Sequence, residues 1–128
     1  MLFRSKLKAL REKVARIFAK EAKLPALDGR KLLVRSEHSA LNTLLQGAGA
    51  IVMKEALVIL TKRLTKEKIW FKFVANVHDE WQIECKSEDA EKIGNYGKQA
   101  ITDAGVSFNM NCPLDGDFKI GTTWKMTH

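Results

Sequence analysis

Apolar residues recur at intervals of three and four along three stretches of the chain, which is the spacing of amphipathic helices. The first stretch predicts a helix over residues 3–22, stopped by Pro25. The second predicts the longest helix, from about residue 37 to residue 65. The third predicts a helix over residues 88–104 that ends at Gly105. Three helices therefore account for more than half of the sequence.

A run rich in β-branched and aromatic residues, Ile69–Cys85, interrupts the helical pattern and carries His78, Asp79 and Glu80 near its middle. Strand-forming residues on both sides predict a β-hairpin with the two acids at its bend. Two adjacent carboxylates favour a hard divalent cation such as Mg²⁺, which prefers carboxylate oxygens. An ordinary turn facing solvent is the alternative, because Asp is common in turns.

Shorter strands complete the pattern. An Asp28-Gly29 pair predicts a short hairpin with strands near residues 25–27 and 31–35. Two further strands are predicted near residues 108–112 and 117–120. The order of helices and hairpins predicts an α+β fold, with an antiparallel sheet packed against long helices.

Charge divides the chain unevenly. Residues 1–35 carry 11 Lys or Arg against 3 acids, whereas the remaining residues carry 11 against 12, for a net charge of +7. A basic segment before a nearly neutral domain suits a polyanion such as nucleic acid, although a solvated helix face is the simpler alternative. The apolar stripe of this segment either packs on the domain's own core or docks on another polypeptide.

No uninterrupted apolar run has the length of a membrane span, because Lys54 and Glu55 break the best candidate, so we expect no membrane partner. The basic start is not followed by an apolar stretch, which argues against a secretory signal. Cys85 and Cys112 lie far apart, without metal-ligand spacing.

Three polar residues in the long helix, His38, Asn42 and Gln46, are spaced four apart and so share one face. Amide donors on such a ridge can bind the acceptors that every base pair presents in the minor groove, without reading sequence. Gly47 and Gly49 follow, each costing about 1 kcal/mol in a helix, which suggests that a duplex or a neighbouring strand comes close. A polar face in water is the alternative.

Several strings of residues resemble DNA polymerases of family A. Leu27–Lys31 and Val34–Ala50 are similar to the helix before the last catalytic motif of that family. Val77–Glu80 is similar to motif C, and Gly121–His128 resembles the C-terminal tail. The resemblance covers residues 27–128 in the family's order and is closest to the phage replicative enzymes.

The resemblance implies a DNA-directed DNA polymerase, a nucleotidyltransferase with a two-metal Mg²⁺ site. Asp79 would be a metal ligand at the hairpin tip, and Glu80 a nearby, less essential carboxylate ligand. His78, the third catalytic residue, would approach the primer terminus. Primer-template DNA and deoxynucleoside triphosphates would be the partners, in the cytoplasm, which is the bacterial host's if a phage encodes the chain.

The same resemblance implies a DNA-binding role for the long helix. His38, Asn42 and Gln46 would line the minor groove of the new duplex, and Arg35 belongs to the same DNA-binding set. By this reading residues 1–24 are a basic amphipathic helix and residues 25–128 the C-terminal palm subdomain. The acidic bend and the amide-bearing helix should then meet at one cleft.

Two family features are not found in the sequence, namely the metal-binding Asp of motif A and the nucleotide-gripping helix of motif B. We therefore expect the isolated chain to be inactive and to need a separate fragment carrying motifs A and B. A non-catalytic, sequence-independent DNA-binding module derived from a polymerase is the main alternative. A metal-dependent nuclease is a third, with little support, because no second carboxylate cluster is evident.

Overall fold

The computed structural model describes residues 2–128, with side-chain surroundings from residue 6 onward. Four helices and two antiparallel hairpins make up this part of the chain, which confirms the α+β class. In chain order the elements are α1 (Leu2–Glu21), β1 (Lys23–Pro25), β2 (Lys31–Leu33), α2 (Glu37–Lys66), β3 (Phe71–Val77), β4 (Glu80–Cys85), a 3-10 turn (Ser87–Asp89), α3 (Ala90–Ser107) and α4 (Trp124–Thr127).

The chain forms two compact units, residues 1–51 and residues 52–128, and α2 contributes one half to each. In the first unit, the apolar stripe of α1 packs against the first hairpin and the start of α2. The buried residues of this core are Val14, Leu24, Val34 and Ala40, with Leu10, Ile17, Phe18, Leu32, Leu41 and Leu44 partly buried around them. The stripe of α1 therefore serves the core of its own unit.

The first hairpin follows from its turn residues. Gly29 has a φ of +86°, a conformation that glycine adopts without a steric penalty. The amide of Ala26 donates to the carbonyl of Arg30 at 2.6 Å, and the amide of Gly29 donates to the carbonyl of Ala26 at 3.0 Å. The predicted hairpin is confirmed, although β1 begins two residues earlier than predicted.

The second unit is built on the far half of α2. Val52, Ala56, Leu60 and Leu64 recur every four residues and are buried, the last three completely. They form one core with Ile93, Ala100 and Ala104 of α3 and with partly buried residues of the second hairpin. This core supports the strands that carry the acid pair.

Residues 108–121, where two strands were predicted, contain no strand. The segment instead runs along α3, where the Thr102 hydroxyl donates to the carbonyl of Leu114 at 2.8 Å and side chains pack against glycines. Phe118 covers Gly94, the Ile101 side chain reaches Gly116, and Leu114 covers Gly105. The segment therefore packs on a helix surface, which explains why no strand ladder forms.

Gly105 likewise does not end α3, which continues to Ser107. It is buried in the helix where Leu114 packs, and a Cβ there would lie 2.9 Å from Leu114 Cγ. Asn109 instead has the positive φ, +54°, that turns the chain after the helix.

Helix α2 is long and apolar enough, by length and composition alone, to cross a membrane. Mostly buried core helices of soluble proteins pass the same test, whereas 17% of the qualifying window is buried here. Each half of α2 contributes buried residues to the core of its own unit. The interruption by Lys54 and Glu55 is thus a weaker argument than the sequence suggested, and the absence of a membrane partner stays a prediction.

Candidate functional site

The acid pair lies at the tip of the second hairpin, as predicted. β3 and β4 pair in antiparallel register from Phe71 opposite Cys85 to Val77 opposite Glu80, which leaves His78 and Asp79 as a two-residue turn. Both turn residues are exposed. The hairpin therefore presents an imidazole and a carboxylate directly to solvent.

The turn holds His78 in an unusual backbone conformation. Its φ is +55°, in the left-handed region that glycine normally occupies and that costs other residues about 1–2 kcal/mol. Glycine at this position would remove the strain. Ala22, Lys68 and Asn109 have the same conformation, so the strain supports a functional role only together with the acids beside His78.

The two faces of the hairpin have different roles. Trp81, Ile83 and Cys85 on β4 pack against the core of the second unit. Since successive side chains on a strand alternate between faces, Glu80 and Gln82 lie on the opposite face. The second carboxylate of the pair is thus turned away from the core while its strand is anchored there.

Glu80 is held by neighbours on two elements. The Gln82 side-chain amide donates to Oε1 of Glu80, and His128 Nδ1 lies 3.4 Å from Oε2. The Thr127 hydroxyl donates to Oε1 of Gln82 at 3.1 Å. The Gln82 amide, with His128 and the more distant charge of Lys119, holds the pKa of Glu80 below its ordinary value. Glu80 is therefore ionised and fixed by the tail.

These contacts identify two residues that sequence reasoning missed. Gln82 could have been found, because it is two residues from Glu80 on a predicted strand and so shares its face. His128 has no local signal, since 48 residues separate it from Glu80.

Asp79 and Glu80 supply oxygen ligands of the type that Mg²⁺ prefers. Within the residues that the structure describes, no group of three or more His, Cys, Asp or Glu side chains is arranged to hold a metal ion. The donor chemistry of the pair fits a divalent cation, but the number of ligands does not complete a site. Further ligands would have to come from outside the described part of the chain.

The predicted polar ridge belongs to the first unit. His38, Asn42 and Gln46 are all exposed along α2, and Arg35 is exposed just before the helix begins. The opposite side of the same helix enters the core through Ala40. The ridge is a continuous polar face directed to solvent, and its meeting with the acidic hairpin stays a prediction.

The two glycines after the ridge differ. A Cβ on Gly47 would lie 3.0 Å from the side chain of Leu32, so a residue of strand β2 makes the close approach. A Cβ on Gly49 would meet no atom within 4 Å. A neighbouring strand thus explains the first glycine, and open space surrounds the second.

Comparison with known proteins identifies the family of the chain. The sequence profile of DNA polymerase family A matches residues 4–126. The chain is 39% identical over 117 residues to a DNA-directed DNA polymerase of Escherichia phage Phieco32, and 38% identical over 112 residues to that of Escherichia phage T7. It is 32% identical over 103 residues to DNA polymerase I of Geobacillus stearothermophilus. These matches cover 86%, 82% and 79% of the chain.

The same matches cover only 19%, 16% and 11% of the three relatives, so the chain spans at most about a fifth of their length. Among solved structures, the POL domain of Pol1 from M. smegmatis, in a complex with DNA primer-template and dNTP, has a similar fold. The TM-score is 0.67 at 18% identity, over 76% of this chain and 19% of that one. The profile match and the phage relatives together show that the chain belongs to DNA polymerase family A.

Proposed function

We propose that this chain supplies the motif C part of a family A polymerase active site, within a C-terminal palm subdomain that begins near residue 25. The observation that carries the proposal is the acid pair at a strained hairpin turn, in a chain of this family. In this role Asp79 and Glu80 are the carboxylates nearest the reacting phosphate, and His78 contacts the primer end.

The reaction would be transfer of a nucleotidyl group. The primer 3′-oxygen attacks the α-phosphorus of a deoxynucleoside triphosphate, a new phosphodiester bond forms, and the bond to pyrophosphate breaks as the hydroxyl proton leaves. Family A DNA polymerases generally use divalent metal ions. Two such ions would activate the 3′-hydroxyl and stabilise the departing pyrophosphate.

Each side chain would have a different role in this reaction, according to its exposure and its contacts. Asp79 is exposed at the tip, and so is free to take a Mg²⁺ ion. Glu80, bound by Gln82 and His128, contributes a fixed negative charge. His38, Asn42 and Gln46, with Arg35, would bind the duplex behind the primer end, where donors to the minor groove favour paired bases.

The test is complementation. We expect no primer extension from the isolated chain, because its two adjacent carboxylates do not complete a two-metal site, and extension after mixing with a fragment that carries motifs A and B. Asp79→Asn should reduce the complemented activity by at least about a hundredfold, the scale of losing one preorganised charge-stabilising group. Glu91→Gln, which removes one exposed acid of the same unit, is the matched control. Full activity of the Asp79 variant would refute the role in metal binding.

A non-catalytic DNA-binding module is the second candidate, supported by the exposed ridge and the basic first unit. It predicts duplex binding that is independent of Mg²⁺ and of Asp79, with no activity after complementation. Mg²⁺-dependent extension by the mixture would exclude it.

A further inference from the structure

The solvent-facing side of α1 carries a row of cations that the site described above does not use. Lys6, Lys13 and Lys20 recur every seven residues, so they lie almost in line along the helix, and Arg16 lies beside the last two. All four side chains are exposed. The row spans about 21 Å at the helical rise of about 1.5 Å per residue.

One acid lies beside this row, because Glu12 is four residues before Arg16 and shares its side of the helix. Glu21 falls on another side, and the first turn of α1 contains no acid. Among the described residues none of the four cations has a carboxylate within 4.0 Å, whereas Arg30 and Lys31 of the same unit are paired with Asp28 and Glu21. The row is thus a concentrated positive charge in which no cation forms an ion pair, with Glu12 the one acid beside it.

This arrangement has a cost within the isolated chain. Like charges three and four residues apart, such as Lys13, Arg16 and Lys20, destabilise a helix by about 0.2–0.5 kcal/mol per pair. Lys20, in the last turn, is placed favourably for the helix dipole. A bound polyanion would remove the repulsion between the like charges.

The packing of α1 favours nucleic acid over a membrane surface as the polyanion. An amphipathic helix binds a membrane surface by burying its apolar face in the lipid. Over residues 10–18 that face is already occupied, because Val14 is buried in the core of the unit with Leu10, Ile17 and Phe18 partly buried beside it, while Leu7 is 37% exposed. Along this part of α1 the charged side remains available, which suits a phosphate backbone and not insertion into lipid.

We propose that the row Lys6, Lys13, Arg16 and Lys20 binds the phosphate backbone of duplex DNA, as a contact distinct from the ridge on α2. Duplex DNA carries about one phosphate charge per 1.7 Å of axis, so a row of about 21 Å faces several phosphates at once. The contact reads no sequence and adds affinity by releasing counterions. It rests on the proposed function, since the polymerase role makes a duplex the polyanion available.

The test measures binding of the full chain to a fluorescein-labelled 20-base-pair duplex at increasing NaCl concentrations, without Mg²⁺ or nucleotide. Four phosphate contacts contribute about 3 to 4 to the slope of log K against log salt concentration. The variant with Gln at positions 6, 13, 16 and 20 should lose that amount of slope, and about tenfold or more in affinity at the lowest salt. The variant with Arg in place of the three lysines should keep both.

The matched control removes the same four charges elsewhere, with Gln at the exposed lysines 54, 62, 66 and 86, which have no carboxylate partner within 4.0 Å among the described residues. Its slope should change by less than about 1. Equal losses in the two Gln variants, or binding to phosphatidylserine vesicles as tight as to the duplex, would overturn the proposal. Loss of slope in the variant with Arg in place of the three lysines would also contradict the proposal. Circular dichroism checks that α1 remains folded in each variant.

This measurement is separate from the test of the polymerase role. The binding assay contains neither Mg²⁺ nor nucleotide, so its result does not depend on catalysis. If DNA binding requires the row but complementation fails, the DNA contact of α1 stands and the catalytic proposal is refuted. If complementation succeeds but the salt slope does not depend on the row, the catalytic proposal stands and the DNA contact of α1 is refuted.

Discussion

The packing of residues 108–121 on α3 predicts different effects for two glycine-to-alanine substitutions in that helix. At Gly94 a Cβ would lie 2.5 Å from Cε2 of the Phe118 ring, and at Gly97 it would meet no atom within 4 Å. Both positions are in the interior of α3, three residues apart. Gly94→Ala and Gly97→Ala therefore share the same change in helix propensity and differ only in packing.

The magnitudes follow from two terms. Replacing glycine by alanine inside a helix stabilises it by about 1 kcal/mol, which Gly97→Ala should show in full. At Gly94 the same gain is opposed by overpacking against the ring, which costs about 1–3 kcal/mol. Gly94→Ala should therefore range from neutral to about 2 kcal/mol destabilising, and the two variants should differ by about 1–3 kcal/mol.

The assay is urea denaturation followed by tryptophan fluorescence. All three tryptophans, Trp70, Trp81 and Trp124, lie in residues 52–128, so the signal reports the unit that contains α3. Adding Phe118→Leu to Gly94→Ala should recover part of the loss, because a smaller side chain leaves room for the methyl group. Equal stabilities of the two single variants would refute the packing of residues 108–121 on α3.

Three further changes test other parts of the structure. His78→Gly should stabilise the second unit by about 0.5–1 kcal/mol in the same urea assay, because relief of the left-handed φ exceeds the entropy cost of glycine. A loss of stability would contradict the assigned strain. The hydrogen bond from Arg63 holds the pKa of Asp103 below its ordinary value of 3.8. The stability advantage of wild type over Asp103→Asn should therefore be present above that pH and disappear as the pH falls through the lowered pKa. A difference that stays constant with pH in acid unfolding curves would contradict this. Leu60→Ala should cost about 2–5 kcal/mol because Leu60 is completely buried, whereas Val58→Ala, at a side chain 45% exposed, should cost less than about 1 kcal/mol, and similar thermal stabilities would contradict the assigned core.

Local patterns in the sequence were sufficient for the three long helices and both hairpins, whereas the four-residue α4 was not predicted. The three helices follow from apolar spacing, since each buries one side in a core, and the hairpins follow from turn residues between runs of strand formers. The tip residues His78 and Asp79 were placed correctly for the same reason. These features depend on neighbours within a few residues along the chain.

The parts that sequence reasoning missed depend on distant contacts. The segment after α3 contains strand-forming residues, yet its conformation is set by glycines on a helix that it touches through Leu114 and Phe118. Gly105 was interpreted as a helix end because glycine often has that role, whereas here it makes room for a side chain. The contact of His128 with Glu80 is equally non-local. A single sequence contains no periodicity that reports such pairs.

Several features that cost this chain stability lie where binding to nucleic acid and metal is proposed. His78 has a strained backbone, the row on α1 concentrates like charges, and Asp79 is an exposed carboxylate beside a second acid. None of them contributes to either core, where the buried residues are apolar. Real proteins depart from locally favourable choices mainly at functional sites. A polyanion would relieve the charge on α1 and a divalent cation the repulsion at the hairpin tip, so the two proposed ligands would each offset a cost that the isolated chain carries.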